Sequence, residues 1–262
     1  MKRIHLFEFE DFAWFPNWLR TCLTRLMVVM HKFLGSTPEL AELLKKALLH
    51  SETAAIVDLC SGSGGPMLEV YQLLKAESGV GPVRLTLTDL YPNMELAALV
   101  NGRSEPTLHY ETRPIDAARV SPELRGVRTM VGSFHHMPPA VATSILRDAK
   151  ENNQPICIYE ISDNSFPIML WWIALPLNFI MALFITPFAR PLTFRQLFFT
   201  YILPVIPFFF AWDGAVSNAR TYTLSDMDVL LEGLASDDYT WETGLIPGKA
   251  KKPYLLGLPK VR

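Results

Sequence analysis

From Ala54 onward, short apolar runs alternate with amphipathic stretches. Residues 54–59 have the character of a buried strand, and over 65–77 Met67, Leu68, Tyr71, Leu73 and Leu74 recur at helical spacing. The pattern repeats as strand 83–88, a short helix after Pro92, strand 107–112, strand 127–132, helix 138–149 and strand 155–161. Apolar strands separated by helices predict a mostly parallel sheet covered on both faces, because parallel neighbours need a crossover between them. Two helices precede this core. The first spans 12–34, with Trp14, Trp18, Leu19, Leu23, Leu26, Met27, Met30 and Leu34 on its apolar face, and Gly35 ends it. The second opens with Ser36 or Thr37 as cap, Pro38 at the first helical position and Glu39 in the first turn. After Thr223 a helix carries Met227, Leu230, Leu231 and Leu234, and 239–243 and 253–258 then read as an antiparallel hairpin at the sheet edge. The expected division is an N-terminal helical lid over 1–53, an α/β core over 54–161, an insertion over 162–222, and completion of the core over 223–262.

The insertion breaks the rhythm. Phe166 to Ala189 is 24 residues without a charged side chain, and Leu197 to Trp212 is 16 more. The first run is long enough to cross a bilayer. Pro167, Pro176, Pro187, Pro204 and Pro207 interrupt the two runs, which suits a hairpin dipping into one leaflet, or an apolar lid over a pocket, as well as a spanning pair. Arg190 and Arg195, between the runs, are placed to meet anionic headgroups. An internal hydrophobic subdomain or a homodimer surface would have the same composition.

With 262 residues, half of them hydrophobic, the chain can bury a full core. Lys+Arg 24 against Asp+Glu 26 leaves a net charge of -2, which argues against a broad nucleic-acid surface. Cys22, Cys60 and Cys157 are far apart and read as reduced thiols of a cytoplasmic protein. Glu8, Glu10 and Asp11 follow Met1-Lys2-Arg3 too closely for a secretory signal; with Trp14 and Arg20 they could fold back as part of the lid, but a solvated face is the favoured reading of these acids. No residue set has the spacing of a metal site, and adjacent His135 and His136 cannot face one ion as a two-ligand helix pair does.

The candidate chemistry lies where strands end. Ile56-Val57-Asp58-Leu59-Cys60-Ser61-Gly62-Ser63-Gly64-Gly65 runs from a strand through an acid into a glycine turn. Glycines there let the backbone turn sharply and approach a ligand. Asp89 closes the second strand, where an acid can accept from both ribose hydroxyls. Asp116 follows the third strand and can accept from an adenine amino group, with Ile115 or Leu90 packed on the ring. The run Asp58 to Gly65 resembles the first motif of the class I S-adenosylmethionine-dependent methyltransferases, usually acid-x-Gly-x-Gly-x-Gly, with Cys60 standing where the first glycine is common. Asp89 matches that family's ribose-binding acid, Ile115-Asp116 its adenine side, and Phe134-His135-His136 the loop of cofactor and substrate contacts after the fourth strand. Trp212-Asp213-Gly214, with Arg220 and Tyr222, is similar to a segment of some members. The resemblance covers residues 54–161 and 223–258. It implies a Rossmann-like seven-stranded mostly parallel sheet with a terminal antiparallel hairpin, and S-adenosyl-L-methionine bound by Asp58, Cys60, Ser61, Gly62, Gly64, Asp89, Leu90, Ile115, Asp116 and Phe134.

A nicotinamide-dependent oxidoreductase is the competing enzyme. Its G-x-G-x-x-G turn binds pyrophosphate, which Asp58 would repel, whereas an acid suits the methionine ammonium. Met67 also occupies the place of the third glycine. On the substrate side, His135 or His136 can take a proton from an acceptor, Glu160 can orient a histidine, and Asp213 lies beside Trp212 as a pocket wall. Arg220 either binds a carboxylate or pairs with Asp213. The expectation is a methyltransferase for a small or amphiphilic, lipid-like acceptor, with peripheral contact at the cytoplasmic face of a membrane. A non-catalytic cofactor-binding protein that the insertion recruits to a membrane is the alternative of another class.

Overall fold

The computed structural model describes residues 1, 3–77, 82–164, 167–248 and 250–260. Phe166, which opens the uncharged run, and Lys249, in the expected hairpin connection, lie outside the described residues. The sheet is built from β1 (Ala55–Asp58), β2 (Arg84–Leu87), β3 (Leu108–Tyr110), β4 (Val127–Val131), β5 (Ile156–Tyr159), β6 (Tyr239–Ile246) and β7 (Lys252–Pro259). Its order is β3-β2-β1-β4-β5-β7-β6. The first five strands are mutually parallel, β7 runs antiparallel to β5, and β6 runs antiparallel to β7. This is the expected Rossmann-like seven-stranded sheet with a terminal hairpin.

Alternation along β5 shows how two cores form. Cys157 and Tyr159 point to one face, where α2 (Ser36–Leu48) and α3 (Met67–Ala76) pack Leu40, Leu44, Val70, Tyr71 and Leu74. Ile156 and Ile158 point to the other, against Ala142, Ile145 and Leu146 of α5 (Pro139–Glu151) and Met227 and Leu230 of α9 (Leu224–Leu230). Each fully buried Leu or Ile contributes about 1.5–3 kcal/mol. α4 (Met94–Asn101) begins at Asn93, whose side chain accepts from Leu96 N. Entry to β4 requires glycine: Gly126 has φ +139, and a Cβ there would lie 2.3 Å from Ala55 O.

A third core stands beside the sheet. Leu19, Cys22, Leu23 and Leu26 of α1 (Asn17–Phe33) pack on Ala182 and Ile185 of α6 (Ala174–Ile185) and on Ile206 and Phe210 of α8 (Val205–Arg220). So α2 joins the sheet core while α1 joins the insertion. α1 starts at Asn17 rather than near residue 12, because residues 9–11 form a separate 3-10 turn and Pro16 takes the cap position. Between α6 and α8 lies the short α7 (Phe194–Leu197), continued by a π-helical turn. The insertion is thus a helical hairpin.

Candidate active site

All candidate groups after β1 to β5 gather at the C-terminal edge of the parallel strands, where ligands of open α/β sheets bind. Asp58 ends β1 and is buried. Its Oδ2 accepts from Ser61 Oγ at 2.6 Å and its Oδ1 from Thr129 Oγ1 at 2.6 Å. Burial pushes its carboxyl up to about 7, against the pull of these two hydroxyls. Asp58 therefore fixes the start of the glycine turn to β4, and both of its oxygens are engaged inside the protein. One lone-pair site remains on each oxygen, so Ser61 and Thr129 hold the carboxyl without excluding the methionine ammonium expected there.

The turn itself is left-handed over several residues. Gly62, Gly64 and Gly65 have φ of 50°, 92° and 44°, and Cys60 has φ 59°. A side chain at Cys60 thus sits in a conformation that favours glycine and costs on the order of 1 kcal/mol, which explains why glycine is common at that place in the family it resembles. Burial first, then Asp89, Asp58 and Asp116, push its thiol up, so Cys60 reports a convergence of three carboxyl groups.

Asp89 holds the turn from the second strand. Its Oδ2 accepts from Gly62 N at 2.8 Å and its Oδ1 from Tyr91 N at 2.8 Å. A carboxylate has about four lone-pair sites. One remains on each oxygen, the number that two vicinal hydroxyls require. Asp116 is exposed, with Oδ1 accepting from Ala118 N at 2.9 Å, and Ile115 N is held by Asp89 O at 2.9 Å. Leu90 is exposed and Ile115 half-buried, so both can face a ring. Phe134 differs from expectation: it is fully buried and packs against Tyr222, ring centroids 5.4 Å apart. Its side chain belongs to the core, leaving its backbone to shape the loop.

The substrate-side candidates converge with residues from both chain termini of the fold. His135 donates its backbone N–H to Glu160 Oε1 at 3.0 Å, and its Nδ1 lies 2.9 Å from Glu160 Oε2. His136 Nδ1 lies 2.8 Å from Asp11 Oδ1. Glu8 enters between them: its Oε1 is 3.7 Å from His135 Nε2 and its Oε2 3.7 Å from His136 Nε2. Burial would favour the neutral ring of His135, but Glu160 and then Glu8 outweigh it and hold the imidazole protonated up to about 10. Burial likewise opposes ionisation of Glu8, yet His136, His135 and Arg220 lower its carboxyl to about 2.

Arg220 Nη1 donates to Asp11 Oδ2 at 2.7 Å and approaches Glu8 Oε1 at 3.1 Å, while Nη2 donates to His136 O at 2.9 Å. Its partners are thus Asp11 and Glu8 rather than Asp213. Asp213 Oδ1 accepts from Phe9 N at 2.7 Å, so this acid clamps the N-terminal segment onto α8. Burial, then the nearby charge of Glu8, pushes Asp213 up to about 7 despite that backbone bond. Arg3 adds a second clamp, donating to His135 O, Met137 O and Tyr222 Oη at 2.6, 2.9 and 2.6 Å.

Two expectations are corrected here. Glu8 is buried, 1% exposed, and Glu10 is half-buried beside it instead of lying on a solvated face, while Asp11 is exposed at the edge of the same charged region. Alternation of Phe7, Phe9 and Phe12 with these acids is the sequence signal of a buried strap that could have found them. Further, His135 and His136 do face one point, because the Phe134–His136 3-10 turn sets their rings side by side with centroids 4.3 Å apart.

No protein-family model and no curated protein matches the chain. A Rhodobacter sphaeroides protein described as a Zn-dependent alcohol dehydrogenase aligns at TM-score 0.50 and 11% identity, over 84% of this chain and 89% of its own. The mitomycin 7-O-methyltransferase MmcR aligns at TM-score 0.48 and 17% identity, over 86% of this chain and 54% of its own. An O-methyltransferase family 2 protein from Planctomyces limnophilus aligns at 0.49 and 14%, over 86% and 56%. The chain spans about half the length of these two methyltransferases. At such identities the likeness is one of fold alone: a Rossmann-like, mostly parallel sheet covered by helices.

Proposed function

We propose that this chain is an S-adenosylmethionine-dependent methyltransferase for a small or amphiphilic acceptor. The observation that carries the reading is Asp89, which pins the glycine turn while keeping one acceptor site on each oxygen for a ribose. Gly62 to Gly65 present backbone with no side chain in the way. Asp116 and Asp89 supply negative charge beside the turn, which favours an ammonium and a sulfonium and repels a pyrophosphate. When bound, the cofactor supplies a methyl group on a positively charged sulfur that already carries its own leaving group. The chain's part is then to position an acceptor and exclude water, and the buried charge cluster after β4 and β5 lies beside the turn to do so.

An amphiphilic acceptor is supported by the insertion. Met169–Phe188 is long and apolar enough to cross a membrane, with mean hydropathy 1.9 and 17% of its window buried. Met169, Leu177, Phe184 and Phe194 are 84%, 61%, 73% and 81% exposed. We read this face as a peripheral contact with the cytoplasmic side of a bilayer, since the Phe194–Ile202 and Val205–Arg220 helices meet at a bend of 81°. Titration with S-adenosylhomocysteine and, in parallel, NAD+ tests the cofactor assignment. Saturable binding of the former and none of the latter is expected; the reverse order rejects it.

A further inference from the structure

We propose that Glu8, His135 and His136 form a binding site for a divalent transition metal of the zinc class. One oxygen of Glu8 and one nitrogen of each imidazole lie within 4.8 Å of one another. Oε1 of Glu8 approaches His135 Nε2 and Oε2 approaches His136 Nε2, each at 3.7 Å and too long for hydrogen bonds. Both distances are close to the roughly 3.3 Å that separates two ligands on a tetrahedral zinc with bonds of about 2.0–2.1 Å. Closing the set around an ion requires shifts of up to about 1.5 Å between ligand atoms.

The surroundings are those of ligands held ready. Ligating histidines characteristically pass their second nitrogen to a carboxylate, and ligating carboxylates are themselves hydrogen-bonded. Glu160 backs His135 Nδ1, Asp11 backs His136 Nδ1, and Ser217 Oγ donates to Glu8 Oε2 at 2.8 Å. Among the inward-facing atoms, Glu8 Oε2 already accepts from Ser217, whereas His135 Nε2 and Glu8 Oε1 are left open. His135 Nε2 and Glu8 Oε1 are buried and have no hydrogen-bond partner; Arg220 Nη1 reaches Glu8 Oε1 at 3.1 Å without hydrogen-bond alignment. An unfilled buried donor or acceptor is costly, so the pair calls for a third party.

Charge permits a cation. Glu8, Asp11 and Glu160 carry three negative charges against the one positive charge of Arg220, so with neutral imidazoles this quartet is at -2. A divalent ion would occupy the space between His135 Nε2 and Glu8 Oε1, neither of which has a hydrogen-bond partner. Two imidazoles and one carboxylate select zinc, nickel, cobalt or iron over magnesium and calcium, which prefer all-oxygen sites. Three protein ligands leave a coordination position for an exogenous oxygen or nitrogen, the pattern of catalytic rather than structural zinc. With a metal present, His136 is a ligand, and activation of an acceptor passes to the ion.

The test uses the full chain, stripped with a chelator and titrated with Zn2+ by calorimetry, with metal content measured after dialysis. One zinc per chain is expected. Glu8→Gln and His136→Ala should each weaken binding at least about 100-fold, and Asp11→Asn or Glu160→Gln roughly 10- to 100-fold. Circular dichroism checks each variant; should Glu8→Gln lose its fold, His136→Ala, with its ring partly exposed, carries the comparison. Cobalt loading adds a visible spectrum that must change in His136→Ala. Failure to bind zinc, or stoichiometric binding unchanged in the folded variants, overturns the site. Each readout is metal binding, so the outcome does not depend on methyl transfer.

Discussion

Replacing Asp89 by alanine separates the ribose-binding role from the scaffold role of the same carboxylate. In the unliganded chain its two oxygens already hold Gly62 N and Tyr91 N, each at 2.8 Å. Those bonds exist with and without cofactor, so their loss cancels to first order in a binding measurement. What remains is the pair of bonds to ribose hydroxyls, each about 1.5–3 kcal/mol for a charged acceptor. Against this stands the cost of stripping water from a carboxylate whose pKa burial already raises. A net loss of about 2–4 kcal/mol follows, or roughly 30- to 1,000-fold in Kd for S-adenosylhomocysteine. Asp116→Ala is the comparator, since an exposed side chain making one bond to an amino group loses about 1 kcal/mol, roughly fivefold. Calorimetry on both variants, with thermal melts to confirm folding, gives the answer. Affinity of Asp89→Ala within about threefold of the parent, or a larger loss at Asp116, would refute this placement of the ribose.

Other outcomes follow from the same geometry. Asp58, pushed up to about 7 from the ordinary 3.8, binds a proton in the folded state that the unfolded chain has released. Its contribution is therefore present below pH 4 and lost as pH rises to 7, by at most about 4 kcal/mol. Melting curves of Asp58→Asn should lack this fall, and a difference from the parent that is constant from pH 4 to 8 would contradict it. Asp148→Ala leaves Arg128, 1% exposed, without its carboxylate; chemical unfolding should show a loss of about 2–4 kcal/mol, and a change under 1 would count against a buried ion pair. Joint substitution of Phe184 and Phe194 by glutamate should abolish co-flotation with phosphatidylcholine–phosphatidylglycerol vesicles. Retained flotation would exclude this face, and a parent dimer that the substitutions dissociate would assign it to a second copy.

Legibility in the sequence followed locality. Strands and helices of the core appear at their expected places because period and apolar content are properties of contiguous residues: the run expected at 127–132 is Val127–Val131, and that at 155–161 is Ile156–Tyr159. Asp89 was likewise readable, since strand end and acid coincide. The tie from Asp58 to Thr129 is not legible there, because that partner lies on a neighbouring strand. Glu8 and Asp11 were missed because their partners are 125 or more residues away, and only tertiary packing makes a strap of them. Phe134 looked like a loop residue from its neighbours, but Tyr222 from the distant end of the chain draws it into the core.

The insertion and the charge cluster cannot be treated as separate modules. α8 carries exposed Phe208 near its start and Asp213, Ser217 and Arg220 further along, the last three in the network around Glu8. From Phe208 to Arg220 a helix rises about 18 Å. One rigid element thus spans from the apolar surface to the clamp that holds the N-terminal strap over His135 and His136. Removing the insertion would strip Ser217 from Glu8, Arg220 from Asp11 and Asp213 from Phe9, so loss of activity in such a deletion would say nothing about membranes. Point changes at Phe184 and Phe194 leave those three contacts in place. They isolate the surface from the site, and a lipid-like acceptor requires that turnover on a soluble analogue survive them while turnover on vesicle-borne acceptor does not.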